Sequence, residues 1–193
     1  RGQYPEELLK RLWLFRPDVQ PGDMDTISVK TDFLGVNYYT RQYARYVWYL
    51  PFFKAWVDRE PPPGISHPIL GSQAYPEGME ELLKRYREEY GAPVIYITEN
   101  GTGDQDVVIE EGRVKDNHRI RYLQHYLREL EKAIAAGSDV RGYFMWTLID
   151  NFEWSVGCSH RMGFVRVDHK SQQRTVKDSA YWFRKLIRAQ VLK

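Results

Sequence analysis

The chain has 193 residues, a length that fits one domain of ordinary size or part of a larger one. Hydrophobic residues make up 42% and charged residues 28%, so the chain is expected to fold rather than remain disordered. The net charge of +2 is spread without a basic block, and no apolar run reaches the ~20 residues of a membrane-spanning helix. We therefore expect neither a nucleic-acid partner nor a membrane partner.

The cysteine and histidine content argues against a metal centre. The single cysteine, Cys158, has no partner for an internal disulfide and builds no zinc site alone. The five histidines lack the spacing of metal ligands, so we predict no metal and no cofactor. The first residues carry neither a starting Met nor the apolar core of a signal peptide. The chain is therefore expected to be cytoplasmic and to be cut from something longer.

The first part of the sequence alternates helix and strand signals. A helix is predicted from Tyr4 to about Arg16, followed by a loop around Pro21 and Gly22. Residues 31–39 form an apolar run rich in strand formers, which predicts a buried strand. The aromatic segment 43–57 predicts a hairpin or an extended loop, and the proline-rich segment 60–68 predicts a loop.

The central part predicts two helices around a second strand. A helix starts at Pro76 and ends at Gly91, and its apolar face comprises Met79, Leu82, Leu83, Tyr86 and Tyr90. Residues 93–99 read PVIYITE and predict a second buried strand. Asp116 or Asn117 caps the next helix, which ends at Gly137. Its predicted apolar face comprises Ile120, Leu123, Leu127, Leu130 and Ile134.

The last part adds a third strand and a terminal helix. Residues 140–149 predict a buried strand, and residues 162–168 alternate like a hairpin strand. Asp178 is expected to cap a final helix that buries Trp182, Phe183, Leu186 and Ile187. The order strand, helix, strand, helix, strand, helix predicts α/β architecture with parallel strands. Three strands cannot close a barrel, which needs eight, so the sheet is either small and open or part of a barrel.

Polar and aromatic side chains follow each of the three predicted strands. Asn37, Tyr38 and Tyr39 follow the first, Glu99 and Asn100-Gly101 the second, and residues 150–154 (DNFEW) the third. Active sites of parallel α/β proteins lie beyond the carboxyl ends of the strands. Carboxylates and amides hydrogen-bond sugar hydroxyls, and Trp faces stack on sugar C–H surfaces. This mixture of residue types favours a carbohydrate-binding site, although Glu99 by position alone also fits a solvated carboxylate at a strand end.

Four blocks of the sequence, in order, resemble family 1 glycoside hydrolases of the β-glucosidase type. They are TDFLGVNYYT, YPEG, VIYITENG and GYFMWTLIDNFEWSVG. The resemblance implies a partial (β/α)8 TIM barrel in one fragment, residues 1–193, whose three strands are the sixth, seventh and eighth. It divides the chain into a helix and loop (1–30), strand six with an aromatic loop and helix (31–92), strand seven with its helix (93–139), and strand eight with a hairpin and terminal helix (140–193).

The same resemblance implies residue roles in a reaction that retains the anomeric configuration. Glu99, the Glu of ITENG, corresponds to the nucleophile that forms a covalent glycosyl-enzyme. Tyr39 would hydrogen-bond that carboxylate and orient it, and Asn37 would line the pocket. Trp146 would form a wall of the sugar site, and Glu153 with Trp154 would bind the distal hydroxyls. The implied ligand is a β-glucoside or a related small saccharide.

The sequence also departs from the family pattern. The acid/base Glu of the family lies in an Asn-Glu-Pro block, which occurs nowhere in this chain. Ser72 stands where the family usually has a Trp, and Cys158 and Met162 stand where it commonly has Tyr and Phe. We therefore expect the chain alone to be weakly active or inactive, unless the missing half of the barrel is supplied.

Two other hypotheses remain open at this stage. Three parallel strands with uncovered edges would favour a self-associating scaffold, a homo-oligomer held by its apolar strands. Alternatively, the aromatic segment 43–57 could bind a flat apolar ligand such as haem through a Tyr or His, although no haem-attachment motif is present.

Overall fold

The computed structural model describes residues 2–58, 68–69, 72–91, 93–103 and 108–190. Within these residues the α-helices are α1 (Glu6–Arg11), α2 (Asp23–Ile27), α3 (Glu77–Glu89), α4 (Asn117–Ala135) and α5 (Asp178–Ala189). The strands are β1 (Leu34–Asn37), β2 (Tyr43–Tyr46), β3 (Ala55–Asp58), β4 (Pro68–Ile69), β5 (Ser72–Gln73), β6 (Ile95–Asn100), β7 (Val108–Glu110), β8 (Arg113–Lys115), β9 (Val140–Met145), β10 (Val165–Val167) and β11 (Arg174–Val176). In the described part of the chain, no helix is both long and apolar enough to cross a bilayer.

A three-stranded parallel sheet forms the centre of the structure. The strand order is β1-β6-β9, so β6 pairs with both neighbours. The chain passes through α3 between β1 and β6, and through α4 between β6 and β9. Because the strands are parallel, their carboxyl ends and the residues that follow them meet at one edge of the sheet. The other described strands form short antiparallel hairpins.

The core lies between one face of the sheet and the helices. Ile95 and Ile97 of β6 are buried together with Met79 and Leu83 of α3 and Leu123 of α4. The alternation of burial along β6 places Tyr96 and Thr98 on the opposite face, which no helix of the described residues covers. We call this second side the open face of the sheet.

The open face carries large apolar side chains in partial contact with water. Phe33 packs edge-to-face on Tyr96, with ring centroids 5.1 Å apart, and is 51% exposed. Phe144 of β9 is 57% exposed. The sheet therefore buries its apolar side chains fully on the helix side only.

An irregularity in the register reverses the alternation at the end of β6. Strict alternation would place Glu99 on the helix side with Ile97, and Asn100 on the open face. The pairing of β6 with β9 shifts between Ile97 and Asn100, and the pairing of β1 with β6 shifts between Val36 and Asn37. As a result Asn100 is fully buried and bonded to Tyr122 of α4, whereas Glu99 is only partly buried.

The predicted elements differ from the structure at several boundaries. The first helix ends at Arg11 rather than near Arg16, and the predicted loop around Pro21 continues into the short α2. The third strand stops at Met145. Segment 43–57 forms a hairpin, β2 with β3. The hairpin β7–β8 was not predicted, and most of the predicted loop 60–68 lies outside the described residues.

The predicted helix faces need three corrections. Ile187 is 62% exposed, and Tyr90 and Ile134 are exposed as well. The N-cap of α5 is Lys177; Asp178 is the first helical residue, and its carboxylate accepts a hydrogen bond from Arg113 at 2.8 Å. The face that α4 buries comprises Arg119, Tyr122, Leu123, Tyr126, Leu130 and Ala133. It is rotated from the predicted face because tyrosine and arginine side chains with internal hydrogen-bond partners replace part of the aliphatic stripe.

Candidate active site

Two side chains from neighbouring strand ends form the centre of the candidate site. The hydroxyl of Tyr39, just after β1, donates to Oε2 of Glu99 at 2.6 Å. Burial raises the pKa of Tyr39, and the hydrogen bond to Glu99 raises it further. The phenol therefore stays protonated and acts as a donor. It fixes the direction of the carboxylate while leaving Oε1 to other partners.

Asn37 lies beside this pair on the same edge of the sheet. It is the register partner of Glu99 in the parallel pairing of β1 and β6. Its Oδ1 accepts a hydrogen bond from the hydroxyl of Thr98 at 2.7 Å, and the residue is exposed. With the Thr98 hydroxyl donating to Oδ1, Nδ2 is left as a donor for a ligand.

Trp146 and Glu153 form a second pair after β9. The indole Nε1 of Trp146 donates to Oε2 of Glu153 at 3.2 Å, and Nδ2 of Asn151 donates to the same oxygen at 3.1 Å. The charge of Glu153 is close enough to Tyr39 to raise the pKa of its phenol. The two pairs therefore belong to one cluster at the carboxyl edge of the sheet.

The main chain of Trp146 packs closely on the end of β6. The amide of Trp146 donates to the carbonyl of Asn100 at 2.9 Å, and the peptide bond from Trp146 to Thr147 is cis. A Cβ at Gly101 would overlap the carbonyl oxygen of Trp146. Glycine at position 101 therefore permits the contact that joins the Glu99 strand to the Trp146 strand.

Trp154 differs from the other predicted site residues. It begins a single 3-10 turn, Trp154–Val156, and its side chain is 87% exposed. Among the described residues, no ring contact or hydrogen bond joins its side chain to Glu99, Tyr39 or Trp146. The structure thus brings five of the six predicted residues to one cluster and leaves the Trp154 indole in solvent.

A buried hydrogen-bond network supports Tyr39 and Glu99 from the helix side. Asn100 donates to the carbonyl of Tyr38 at 2.6 Å and to the hydroxyl of Tyr122 at 3.1 Å, and it accepts from Tyr143 at 2.6 Å. The hydroxyls of Tyr122 and Tyr126 both donate to the carbonyl of Tyr39, at 3.0 and 2.5 Å. Burial raises the pKa of these tyrosines, so they remain donors. Helix α4 therefore holds the backbone at Tyr39 directly, and it holds the residue after Glu99 through the side chain of Asn100.

The loop that carries Glu153 is anchored by a buried ion pair. Nζ of Lys177 lies 2.9 Å from Oδ1 of Asp150, and both side chains are almost fully buried. The same carboxylate accepts from the amides of Gly163 at 2.9 Å and Val167 at 3.3 Å. Burial lowers the pKa of Lys177 to about 8, and the nearby charge of Arg119 lowers it as well, although Asp150 opposes both. These contacts hold Asp150, the residue at which the loop carrying Glu153 begins, in one position.

Arg119 extends this anchor to α4 and α5. Its guanidinium is fully buried and lies 2.9 Å from Asp116. It also donates to the carbonyls of Thr102, Met162 and Arg161. Asp116 in turn accepts from the amide and hydroxyl of Ser179 at 2.8 and 2.5 Å. One side chain thus ties the segment after Glu99, the loop after Glu153 and the start of α5 together.

The sequence interpretation missed these supporting residues. Tyr122 and Tyr126 are four apart on α4, and Arg119 precedes them by three and seven residues, so all share one helix face. The position of Arg119 on the apolar face of α4 could have indicated a buried, paired arginine. Lys177 and Asp150 are 27 residues apart, and no local pattern links them.

Comparison with known proteins identifies the class. The chain belongs to glycosyl hydrolase family 1, whose family model matches residues 1–191. It is 42% identical over 188 residues to β-glucosidase A of Thermotoga maritima, a match that covers 97% of this chain and 41% of that protein. A 1,4-β-D-glucan glucohydrolase of Thermotoga neapolitana is 39% identical over 188 residues, with the same two coverages.

Solved structures show the same relationship. The family 1 β-glucosidase of Thermotoga maritima superposes with a TM-score of 0.90 at 39% identity, covering 100% of this chain and 43% of that one. A Thermotoga maritima family 1 glycoside hydrolase in complex with a cyclophellitol analogue, a transition-state mimic, superposes with a TM-score of 0.90 at 39% identity, covering 100% of this chain and 42% of that one. The chain therefore spans about two fifths of the length of these relatives.

Proposed function

We propose that the chain supplies the nucleophile and part of the sugar site of a retaining β-glucosidase. The observation that carries this proposal is the 2.6 Å hydrogen bond from Tyr39 to Glu99 at the carboxyl edge of the parallel sheet. A nucleophilic carboxylate has to be aimed at the reacting carbon, and the hydrogen bond from the phenol fixes its direction. Membership of family 1 and the β-glucosidase relatives support the reaction class.

In the proposed first step, a Glu99 oxygen attacks the anomeric carbon of a β-glucoside. A carbon–oxygen bond forms to Glu99 while the bond to the aglycone breaks, and the aglycone oxygen leaves with the electron pair. An ordinary alkoxide leaving group needs a proton from a second carboxyl group about 5–5.5 Å from the nucleophile. The sequence contains no Asn-Glu-Pro block, and we propose that this proton comes from outside the 193 residues.

The remaining residues of the cluster would hold the sugar. Nδ2 of Asn37 is available to a hydroxyl near the reacting carbon. The ring of Trp146 offers a flat wall, and the carboxylate of Glu153 accepts distal hydroxyls. Trp154 would contact the sugar from its exposed position once a ligand or further polypeptide covers it.

The arrangement of the sheet and its helices is consistent with part of a larger barrel. We propose that β1, β6 and β9 are strands six, seven and eight of a (β/α)8 barrel. The parallel order, the intervening helices and the superposition on 43% of a family 1 β-glucosidase support this assignment.

An activated substrate tests the nucleophile without the missing acid. A 2,4-dinitrophenyl 2-deoxy-2-fluoro-β-glucoside carries a leaving group that needs no protonation, and its fluorine slows breakdown of the glycosyl-enzyme. We expect intact-mass spectrometry to show one added fluoroglucosyl group, and peptide mapping to place it on Glu99. Attachment at any other residue, or no attachment to the folded chain at saturating reagent, would count against the proposal.

Replacing Tyr39 with phenylalanine should slow this labelling by about 10- to 100-fold, since a charge-assisted hydrogen bond is lost and the carboxylate can turn away. The measurement is the rate of mass increase at fixed reagent concentration. Tyr75→Phe is the matched control, because Tyr75 donates to Glu81 at 2.7 Å on an exposed surface away from the cluster. Equal rates for Tyr39→Phe and the wild type would contradict the orienting role.

We also propose that the open face of the sheet is covered by further polypeptide, either the rest of a barrel or, in this chain alone, a second copy. The exposed Phe33 and Phe144 support this. Sedimentation at micromolar concentrations should show dimers or larger species, and Phe144→Lys should shift them toward monomer. Ile187 of α5 is similarly exposed, and Ile187→Lys should leave the distribution of species unchanged. A single monomeric boundary at all concentrations would sink this idea.

A further inference from the structure

The two oxygens of the Glu153 carboxylate have different surroundings. Oε2 receives two N–H donors, one from Trp146 at 3.2 Å and one from Asn151 at 3.1 Å. Within residues 2–58, 68–69, 72–91, 93–103 and 108–190, no hydrogen-bond donor to Oε1 is found. A carboxylate oxygen accepts about two hydrogen bonds. The protein therefore fills one oxygen and leaves the other to a ligand.

The amide of Asn151 has a determined orientation. Its Nδ2 lies 3.1 Å from Oε2 of Glu153 and 3.3 Å from the carbonyl of Phe152, which are both acceptors. A flipped amide would place Oδ1 against these two oxygens and lose both contacts. Oδ1 is buried without a hydrogen-bond partner among the described residues. The amide is thus held by its two donor contacts alone, and its acceptor goes unsatisfied.

The main chain around Glu153 is fixed independently of this amide. The amide of Glu153 donates to Gly157 at 2.8 Å, and the amide of Gly157 donates back at 3.0 Å. Asp150, three residues earlier, is anchored by Lys177. Only the side-chain torsions of Glu153 remain to be set, and Trp146 and Asn151 supply the contacts that set them.

We propose that Asn151 is a positioning residue that works with Trp146 to hold Oε2 of Glu153, so that Oε1 accepts the distal hydroxyls of the sugar. This inference rests on the sugar-binding role of Glu153 proposed above. Without Asn151 the carboxylate of Glu153 rotates about its remaining hydrogen bond from Trp146. Its hydrogen bonds to the distal hydroxyls of the sugar are then weaker. A glucoside, with its hydroxymethyl group, then loses its advantage over the corresponding xyloside, which lacks that group.

The first readout compares two labelling rates in the 193-residue chain. The ratio of the rates for the 2-deoxy-2-fluoro-glucoside and the matching xyloside is measured for the wild type, Asn151→Leu and Asn151→Asp. The leucine variant removes the donor, and the aspartate variant keeps the shape but places a like charge against Oε2. We expect both to lower the glucoside preference by about 10-fold. Ser159→Ala removes the hydroxyl that bonds to Val156 and His160 in the same loop and should leave the ratio unchanged.

The second readout needs no reaction. The indole N–H of Trp146 gives a resolvable ¹H–¹⁵N signal, assigned with Trp146→Phe, that reports its contact with Glu153. Both Asn151 variants should move this signal toward its position in Glu153→Ala, and Ser159→Ala should not move it. If wild-type Glu99 is never labelled, the proposed function fails, yet the indole signal still decides the role of Asn151. A Trp146 signal at the wild-type position in both Asn151 variants overturns the inference, as does an unchanged sugar preference.

Discussion

Replacing Arg119 with methionine should lower the free energy of unfolding by about 3–5 kcal/mol, the range for breaking a buried ion pair on one side only. Arg119 and Asp116 are both fully buried and 2.9 Å apart. The variant leaves the Asp116 carboxylate with its two hydrogen bonds from Ser179, but without its counter-charge. It also leaves the carbonyls of Thr102, Met162 and Arg161 without this donor.

Urea unfolding followed by circular dichroism measures this loss. Arg121→Met is the matched control, because Arg121 is exposed on the same helix two residues later and its removal should change stability by no more than about 0.5 kcal/mol. A loss below about 1 kcal/mol for Arg119→Met, with unchanged dependence on urea, would show that the network contributes little. The loop bearing Glu153 should also become more accessible to protease in this variant, since Met162 and Arg161 belong to it.

Replacing Glu99 with glutamine should abolish labelling by the activated fluoroglucoside. An amide keeps the shape of the side chain and a hydrogen-bond acceptor for Tyr39, but it lacks the anionic oxygen that forms the ester to the sugar. The fold should survive, because Glu99 is only partly buried and the amide oxygen can keep its hydrogen bond from Tyr39. Intact-mass spectrometry over a long incubation detects any residual adduct.

Two control variants distinguish the nucleophile from a residue that only binds the sugar. Glu153→Gln should still be labelled, though more slowly, because Glu153 is proposed to hold the sugar rather than to attack it. Glu77→Gln changes an exposed glutamate on α3 and should behave as the wild type. Undiminished labelling of Glu99→Gln would show that Glu99 is not the nucleophile. Complete loss of labelling in Glu153→Gln but not in Glu99→Gln would indicate Glu153 as the nucleophile instead.

Much of the strand and helix order followed from local patterns. The apolar runs at 31–39, 93–99 and 140–149 each contain one strand of the parallel sheet, and the helices between them lie near their predicted positions. The buried face of α4 was predicted less well. Ile134 lies in solvent while Tyr122 and Tyr126 are buried, because their hydroxyls find the carbonyl of Tyr39 only in the folded chain.

The site was reached from the sequence mainly through its resemblance to a family. Position alone left Glu99 as a carboxylate at a strand end, with solvation as the simpler interpretation. The structure adds the contact with Tyr39, 60 residues away in sequence, and the contact of Trp146 with Glu153. It also adds Asn151, whose role depends on a side-chain orientation that no motif spacing reveals.

The family, the alternation of strands and helices, and the set of polar residues at the strand ends could be predicted from the residues alone, because they depend on local composition and order. The directions in which Glu99 and Asn100 face could not be predicted, because they depend on the folded arrangement of the sheet. A shift of register at the end of β6 turns the amide toward α4 and leaves the carboxylate beside Tyr39. Such a shift arises from pairing with two other strands and from buried partners on α4, and these contacts exist only once distant segments have packed together.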